Sequence, residues 1–151
     1  MRRELCGPLE EPVWPEGARL RRLANVHDAK AAHAVLQSGF WEGGGGAVAF
    51  PRWWSAVRKH TAFDPGLFFI AEDRTGVVGL AHCWTSAVVK DLVVHPRVRR
   101  HGLGRALMLT AFRTFAARGE AGVELKVRED NLAAQRLYHS LKMRIIGREP
   151  A

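Results

Sequence analysis

Apolar and polar positions along this chain switch several times between alternation and helical spacing, and the switches place its elements. Ala18 to Leu23 (ARLRRL) alternates apolar and basic residues with period two, which predicts a half-buried strand. From Val26 to Gln37 the apolar residues Ala29, Ala32, Val35 and Leu36 recur at helical spacing; Asn25 precedes them as a cap, Asp28 follows three residues on, and Gly39 is expected to end the helix. Pro51 opens a second amphipathic run, PRWWSAVRKHTA, as a first-turn proline does. Leu67 to Glu72 and Val77 to Thr85 are strand patterns joined by the hairpin turn Asp73-Arg74-Thr75-Gly76, and Val88 to Val94 continues the meander. A long apolar helix runs from Gly102 to about Arg118, with Gly119 and Gly122 marking its end. Val123 to Val127 is the next strand, with Val123, Leu125 and Val127 on one face and Glu124 and Lys126 on the other. The last helix carries a stripe of Ala134, Leu137, Tyr138 and Leu141, and Met143 to Arg148 reads as a final short strand. This order predicts a mixed α/β (α+β) sandwich with a largely antiparallel sheet, a single domain over residues 18–151. Residues 1–17 hold Pro8, Pro12 and Pro15 and are expected to form an irregular leader.

The densest chemistry lies in Asp91 to Arg105, DLVVHPRVRRHGLGR, which reads as a strand, a glycine-rich turn and a helix start. Glycines let the backbone approach an anion, unpaired N–H groups point outward where a helix begins, and the helix dipole adds positive charge there. Arg97, Arg99, Arg100 and Arg105 strengthen the field. An ordinary strand-to-helix connection with solvated arginines uses the same residue types, so spacing must decide. Arg99-x-x-Gly102-x-Gly104 is too short for a G-x-x-x-x-G-K-[ST] phosphate loop and lacks its Lys-Ser/Thr pair. A dinucleotide G-x-G-x-x-G fits no better, because Gly102-Leu103-Gly104 continues as Arg105, Ala106 and Leu107.

The segment resembles the acyl-CoA pyrophosphate loop of the GCN5-related N-acetyltransferases (GNAT), Gln/Arg-x-x-Gly-x-Gly/Ala. Asn131-x-x-Ala134-x-x-Leu137-Tyr138 looks like that family's other hallmark, one helix and one strand further on, and the two motifs together cover roughly residues 87–148. The resemblance implies a GNAT-like sheet flanked by helices, acetyl-CoA as cosubstrate with CoA as product, and direct acetyl transfer to a primary amine of a small-molecule or peptide acceptor. It also implies that Arg99, Arg100, His101, Gly102, Leu103, Gly104 and Arg105 hold the pyrophosphate. A bulge in Leu92-Val93-Val94 would part that strand from Val123 to Val127 so that the pantetheine arm bonds its backbone, with Asn131 and Ala134 nearby. Two departures stand out: the usual Leu-Gly-Phe after the last helix is Leu141-Lys142-Met143, and no sequence remains for a seventh strand. The sheet edge left by the missing final strand is expected to be covered by the leader or completed by a second copy in a homodimer.

For chemistry, Tyr138 is the candidate general acid, since a phenol with pKa near 10 can share or give a proton to a leaving thiolate whose thiol titrates near 8.5. A core tyrosine on an apolar stripe is the alternative. Asp91, just before the bulged strand, is the candidate for holding the acceptor amine or taking its proton; His82, Glu72, His95 and Glu124 are reserves. Where some protein N-terminal acetyltransferases carry a glutamate, this chain has Lys126. Trp41, Trp54 and Trp84, with Phe40 and Trp53, are candidates for an acceptor wall, although amphipathic helices also use tryptophan simply to cover a sheet. Glu42 is a further candidate for holding an ammonium group. Phe63-Asp64-Pro65 before an apolar strand resembles the halves of mycothiol synthase-type members of the family.

Composition narrows the field further. The 151 residues are 47% hydrophobic, which suits a packed core rather than global disorder. No apolar run approaches the length of a membrane span, and the first residues lack the apolar centre of a signal peptide, so a cytoplasmic location is expected. Cys6 and Cys83 are the only cysteines; no structural disulfide and no metal site are expected. The formal charge of +8 permits nucleic-acid binding, but the arginines are scattered and lack interleaved aromatics, so nucleic acid is an unlikely partner. A catalytically inert acyl-CoA-binding module remains the alternative to an enzyme.

Overall fold

The computed structural model describes residues 1–43 and 48–148, with the side chains of residues 40–43 outside the description. Six strands form one sheet: β1 (Arg2–Glu4), β2 (Arg19–Arg22), β3 (Phe68–Asp73), β4 (Gly76–Trp84), β5 (Val88–Val94) and β6 (Gly122–Leu125). Among the described residues four α-helices flank it: α1 (Val26–Gly43), α2 (Phe50–Lys59), α3 (Leu103–Ala117) and α4 (Leu132–Ser140). The strand order is β1-β6-β5-β4-β3-β2, antiparallel throughout except for the β5–β6 pair.

Alternation within the strands sends side chains to two cores. Phe69, Ala71, Ala81 and Cys83 pack with Leu107, Met108, Phe112 and Phe115 of α3 and with Tyr138 of α4. Phe68, Ile70 and Leu80 pack with Ala32, Val35 and Leu36 of α1 and with Trp53 and Val57 of α2. The sheet is therefore buried on both faces, which is why β3 reads as a continuous apolar run.

Three expectations are corrected. The leader is not irregular at its start: β1 pairs antiparallel with β6, Arg3 opposite Val123, and Leu5 enters the core. The edge beside β6 is thereby covered by the leader, the first of the two arrangements expected for it. RIIGR does not form a strand; only Arg144 pairs, and it pairs with Arg2, while Ile145 and Ile146 stay exposed. Finally, Gly39 does not end the first helix, which continues to Gly43. A Cβ at Gly39 would stand 2.7 Å from Cγ1 of Val93, so this glycine lets α1 lie against β5 rather than stopping the helix.

Candidate active site

The anion cradle is built by the backbone. Arg100 and Gly102 both take left-handed conformations, at φ 67° and 85°, and turn the chain sharply into α3. Gly102 is the N-cap, and among the described residues no side chain caps the helix, so the first N–H groups of α3 are open to an anionic ligand. Gly104 lies between Val94 and Leu137, where a Cβ would stand 3.4 Å from a Leu137 methyl: close packing rather than a clash. Arg99 donates from Nε to the Val94 carbonyl at 3.1 Å, and Arg100 and His101 are exposed beside it. Leu103 is buried and anchors the helix start in the core.

The arginines divide. Arg105 turns away from the loop, donating to Oε2 of Glu10 at 2.8 Å and to Oγ of Ser140 at 3.2 Å. Arg97 is likewise engaged elsewhere, with Thr75 at 2.6 Å and Asp73 at 3.4 Å. Both brace the fold, and the side chains of Arg99, Arg100 and His101 surround the turn.

Behind the loop the sheet opens. Among the described residues β6 pairs with β5 only at Val88–Glu124 and Val89–Leu125, so Lys90 to Val94 run past its end with no described strand on that side. The bulge lies at Lys90 and not within Leu92–Val94: the β4–β5 register jumps from Cys83–Val89 to His82–Asp91 and leaves Lys90 unpaired. Leu92, Val93 and Val94 are half-buried along the opening.

Asp91 and Tyr138 flank this opening from opposite faces. Asp91 lies directly across from His82, on the face covered by α1 and α2. Tyr138 belongs to the core under α3 and α4, and burial pushes its phenol up to about 12, with the negative charge of Asp91 adding to the effect. The Asp91 carboxylate pairs with Nζ of Lys90 at 3.3 Å. Asn131 caps α4, its Oδ1 accepting from the Ala134 N–H at 3.1 Å, and Ala134 packs against the core.

A family profile described as "Acetyltransferase (GNAT) family" matches residues 35–143. The chain belongs to the GNAT acetyltransferase family. A mycothiol acetyltransferase from Thermobispora bispora is 35% identical over 93% of this chain and 51% of its own length. Another, from Amycolatopsis mediterranei, is 32% identical over 87% of this chain and 48% of its own. The chain thus spans about half the length of these curated relatives. Among solved structures, a GCN5-related N-acetyltransferase from Sphaerobacter thermophilus superposes with a TM-score of 0.82, at 27% identity, over 95% of this chain and 46% of that one. Ard1 from Thermoplasma volcanium shares the fold at a TM-score of 0.66 and 21% identity.

GNAT enzymes use acetyl-CoA as cosubstrate, and the uncapped helix start, its two glycines and the widened β5–β6 gap fit the anionic and extended parts of such a molecule. Of the residues expected to form an acceptor wall, Trp84 stacks on His60 at 4.1 Å and meets His82 edge-on at 4.4 Å. Trp54 sits within the α2 cluster, edge-on to Phe63 at 6.0 Å and under the Arg58 guanidinium. Trp41 and Glu42 fall outside the described side chains. Of the reserves, Glu72 is held by Arg19 and Arg21, each at 2.7 Å, and these hydrogen bonds keep its carboxyl below the usual range. His95 accepts from the Arg97 N–H, and Glu124 pairs with Arg2. His82 is different: it is buried without a hydrogen-bond partner among the described residues. Asp64 of the Phe-Asp-Pro segment caps its turn and pairs with Arg118 at 2.7 Å. A lone histidine in an apolar strand gives no signal by itself; the carboxylate at the fourth position of the next strand was the clue available for His82.

Proposed function

We propose that this chain transfers an acetyl group directly from acetyl-CoA to a primary amine. The observation that carries this reading is the convergence of Asp91 and Tyr138 on the β5–β6 opening, one loop away from an uncapped helix N-terminus. Gly102, Leu103, Gly104 and Arg105 would offer backbone N–H groups to the pyrophosphate, with Arg99, Arg100 and His101 around it. The backbone of Leu92 to Val94 would hold the pantetheine arm, and an N–H at Leu92 or Val93 would polarise the acetyl carbonyl. Acetyl-CoA supplies the acyl group as a thioester.

Asp91 takes the proton that an ammonium acceptor must lose. Tyr138 faces the leaving sulfur as a hydrogen-bond donor. A phenol raised to about 12 holds its proton firmly against a thiolate. The amine's second proton ends on the departing sulfur as the C–S bond breaks, with the Tyr138 phenol donating a hydrogen bond there, so the products are the amide, the CoA thiol and a neutral Tyr138. The mycothiol acetyltransferases among the relatives favour a small acceptor, and Trp84 with Trp54 supplies apolar surface for it.

Thermal unfolding with acetyl-CoA, CoA or ATP is the test. A ligand at about a hundred times its dissociation constant stabilises by roughly 2.7 kcal/mol, several degrees for a domain of this size. A shift with both CoA species and none with ATP is expected, followed by thiol release when primary amines are added. Equal shifts with ATP and CoA, or none with CoA, would refute the reading.

A further inference from the structure

His82 is 1% exposed on β4, and neither of its ring nitrogens has a hydrogen-bond partner among the described residues. A neutral imidazole carries one N–H donor and one lone-pair acceptor, and burying both unmet costs stability that a phenylalanine or leucine would not forfeit. Its surroundings are aromatic. Phe68 lies at 4.7 Å and the edge of Trp84 at 4.4 Å, and the His60 ring stacks on Trp84 at 4.1 Å with 17° between planes. Phe68 in turn touches Trp53 at 6.3 Å, whose indole N–H is also buried and unpartnered. This aromatic wall runs along the α1–α2 face of the sheet and ends at Asp91, directly across from His82 and beside the β5–β6 opening.

The charged and titratable groups about His82 are Asp91, Lys90 and His60. Burial, then Lys90 and His60, pull the imidazole down to about 3, so it is neutral throughout the physiological range. Asp91 spends its carboxylate on Lys90 at 3.3 Å rather than on the ring. The polar atoms of His82 are therefore left over after the fold has satisfied its other needs on this strand pair.

We propose that His82 is the acceptor-positioning residue: a ring nitrogen takes one N–H of the substrate amine, with Asp91 on the opposite strand and the Trp84–His60 stack as the cover that turns aside to admit it. The acceptor is accordingly a primary amine on a narrow, apolar or flat stem that lies along Phe68 and Trp84. The proton balance is simple: the ammonium gives one proton to the Asp91 carboxylate, leaving a neutral amine and a carboxylic acid. A neutral imidazole then accepts from the amine N–H without adding the negative charge that would hold the ammonium form. This inference rests on the acetyltransferase reading of the site.

The probe is a conjugate in which the CoA sulfur is joined through CH2–C(=O) to propylamine, compared with CoA itself by calorimetry. Wild type should bind the conjugate at least about tenfold more tightly than CoA, because the tethered amide adds the acceptor contacts. His82→Leu should bind CoA as wild type does, lose most of that gain, and melt at the same or a higher temperature. His82→Gln, which keeps a neutral acceptor, should retain the gain to within about threefold. A gain undiminished in His82→Leu, or no gain in wild type, overturns the proposal. So does a His82→Leu protein that loses CoA affinity and melting temperature together, since His82 would then be structural. Failure of wild type to bind CoA at all is a separate result, and it removes the acetyltransferase reading itself.

Discussion

Glu72 and His82 are both buried polar residues on adjacent strands of one sheet, and the fold treats them oppositely. Glu72 accepts from Arg19 and Arg21 at 2.7 Å each, and Arg21 reaches on to Asp28 at 2.6 Å, closing a network that ties β2, β3 and the start of α1 together. His82, packed against Phe68 and Trp84, has no partner among the described residues. A carboxylate with both oxygens held by guanidinium groups is serving the architecture. An imidazole left unpaired one strand in from the opening, opposite Asp91, is available to a ligand. Two candidate bases of similar burial are thus separated by where their hydrogen bonds go, not by residue type.

Acid separates them most strongly. In the fold His82 titrates at about 3, against an ordinary 6.5, so between those values the unfolded chain binds the extra proton. Stability is then fully present above pH 6.5 and falls as pH drops toward 3, by up to roughly 5 kcal/mol over the window. Glu72, depressed by its arginines, loses its contribution only below the ordinary carboxylate range near 4.5. Urea titrations between pH 4.5 and 6.5 should show a slope in wild type that His82→Phe flattens; identical slopes would mean that the imidazole is hydrated in the folded protein.

At pH 7 the same pair should respond with opposite signs. Glu72→Ala leaves Arg19 and Arg21 without their carboxylate and should cost about 3 kcal/mol in urea unfolding. His82→Phe should be neutral or stabilising by up to about 1 kcal/mol. Equal losses from both would erase the distinction between a structural and a vacant polar group.

Tyr138 extends the comparison to the other face of the opening. Tyr138→Phe should lower kcat about 100-fold, near 2.7 kcal/mol in the barrier, with CoA affinity unchanged. A kcat within about threefold of wild type would return Tyr138 to the core as an ordinary stripe residue. The loop offers the smallest and cleanest contrast. Gly102 needs φ 85°, so Gly102→Ala should cost about 1 kcal/mol and weaken CoA binding. Gly104→Ala meets a Leu137 methyl at 3.4 Å and a Val94 methyl at 3.7 Å, ordinary contact distances, and should be close to silent. Comparable losses at the two glycines would mean that the backbone conformation at Gly102 is not what the loop requires.

Much of this could be read along the chain, because local rules wrote it. A period-two run gave β2 and apolar strand patterns gave β3 to β5, and β5 begins and ends where Val88 and Val94 place it in the sequence. The Asn131 cap, the apolar stripe through Tyr138 and the glycine turn before α3 are likewise short-range features whose partners lie within a few residues. Gly39 was read as a stop because glycine usually breaks helices. Its actual role, clearance for Val93, depends on a strand more than fifty residues away.

Long-range pairing decided the rest. Arg2 to Glu4 carries no strand pattern that could be trusted among the prolines nearby, yet β6 offers it an unpaired edge, and hydrogen-bond satisfaction outweighs its weak propensity. Counting back from the β4–β5 connection through Trp84–Val88 and Cys83–Val89 would set His82 against Lys90. A single bulged residue shifts that partner to Asp91. The sequence determined which residues could do chemistry and on which elements they ride; only the folded sheet, through one extra residue in one strand, determined that His82 lies opposite Asp91, on the β4 side of the strand whose other side β6 leaves open.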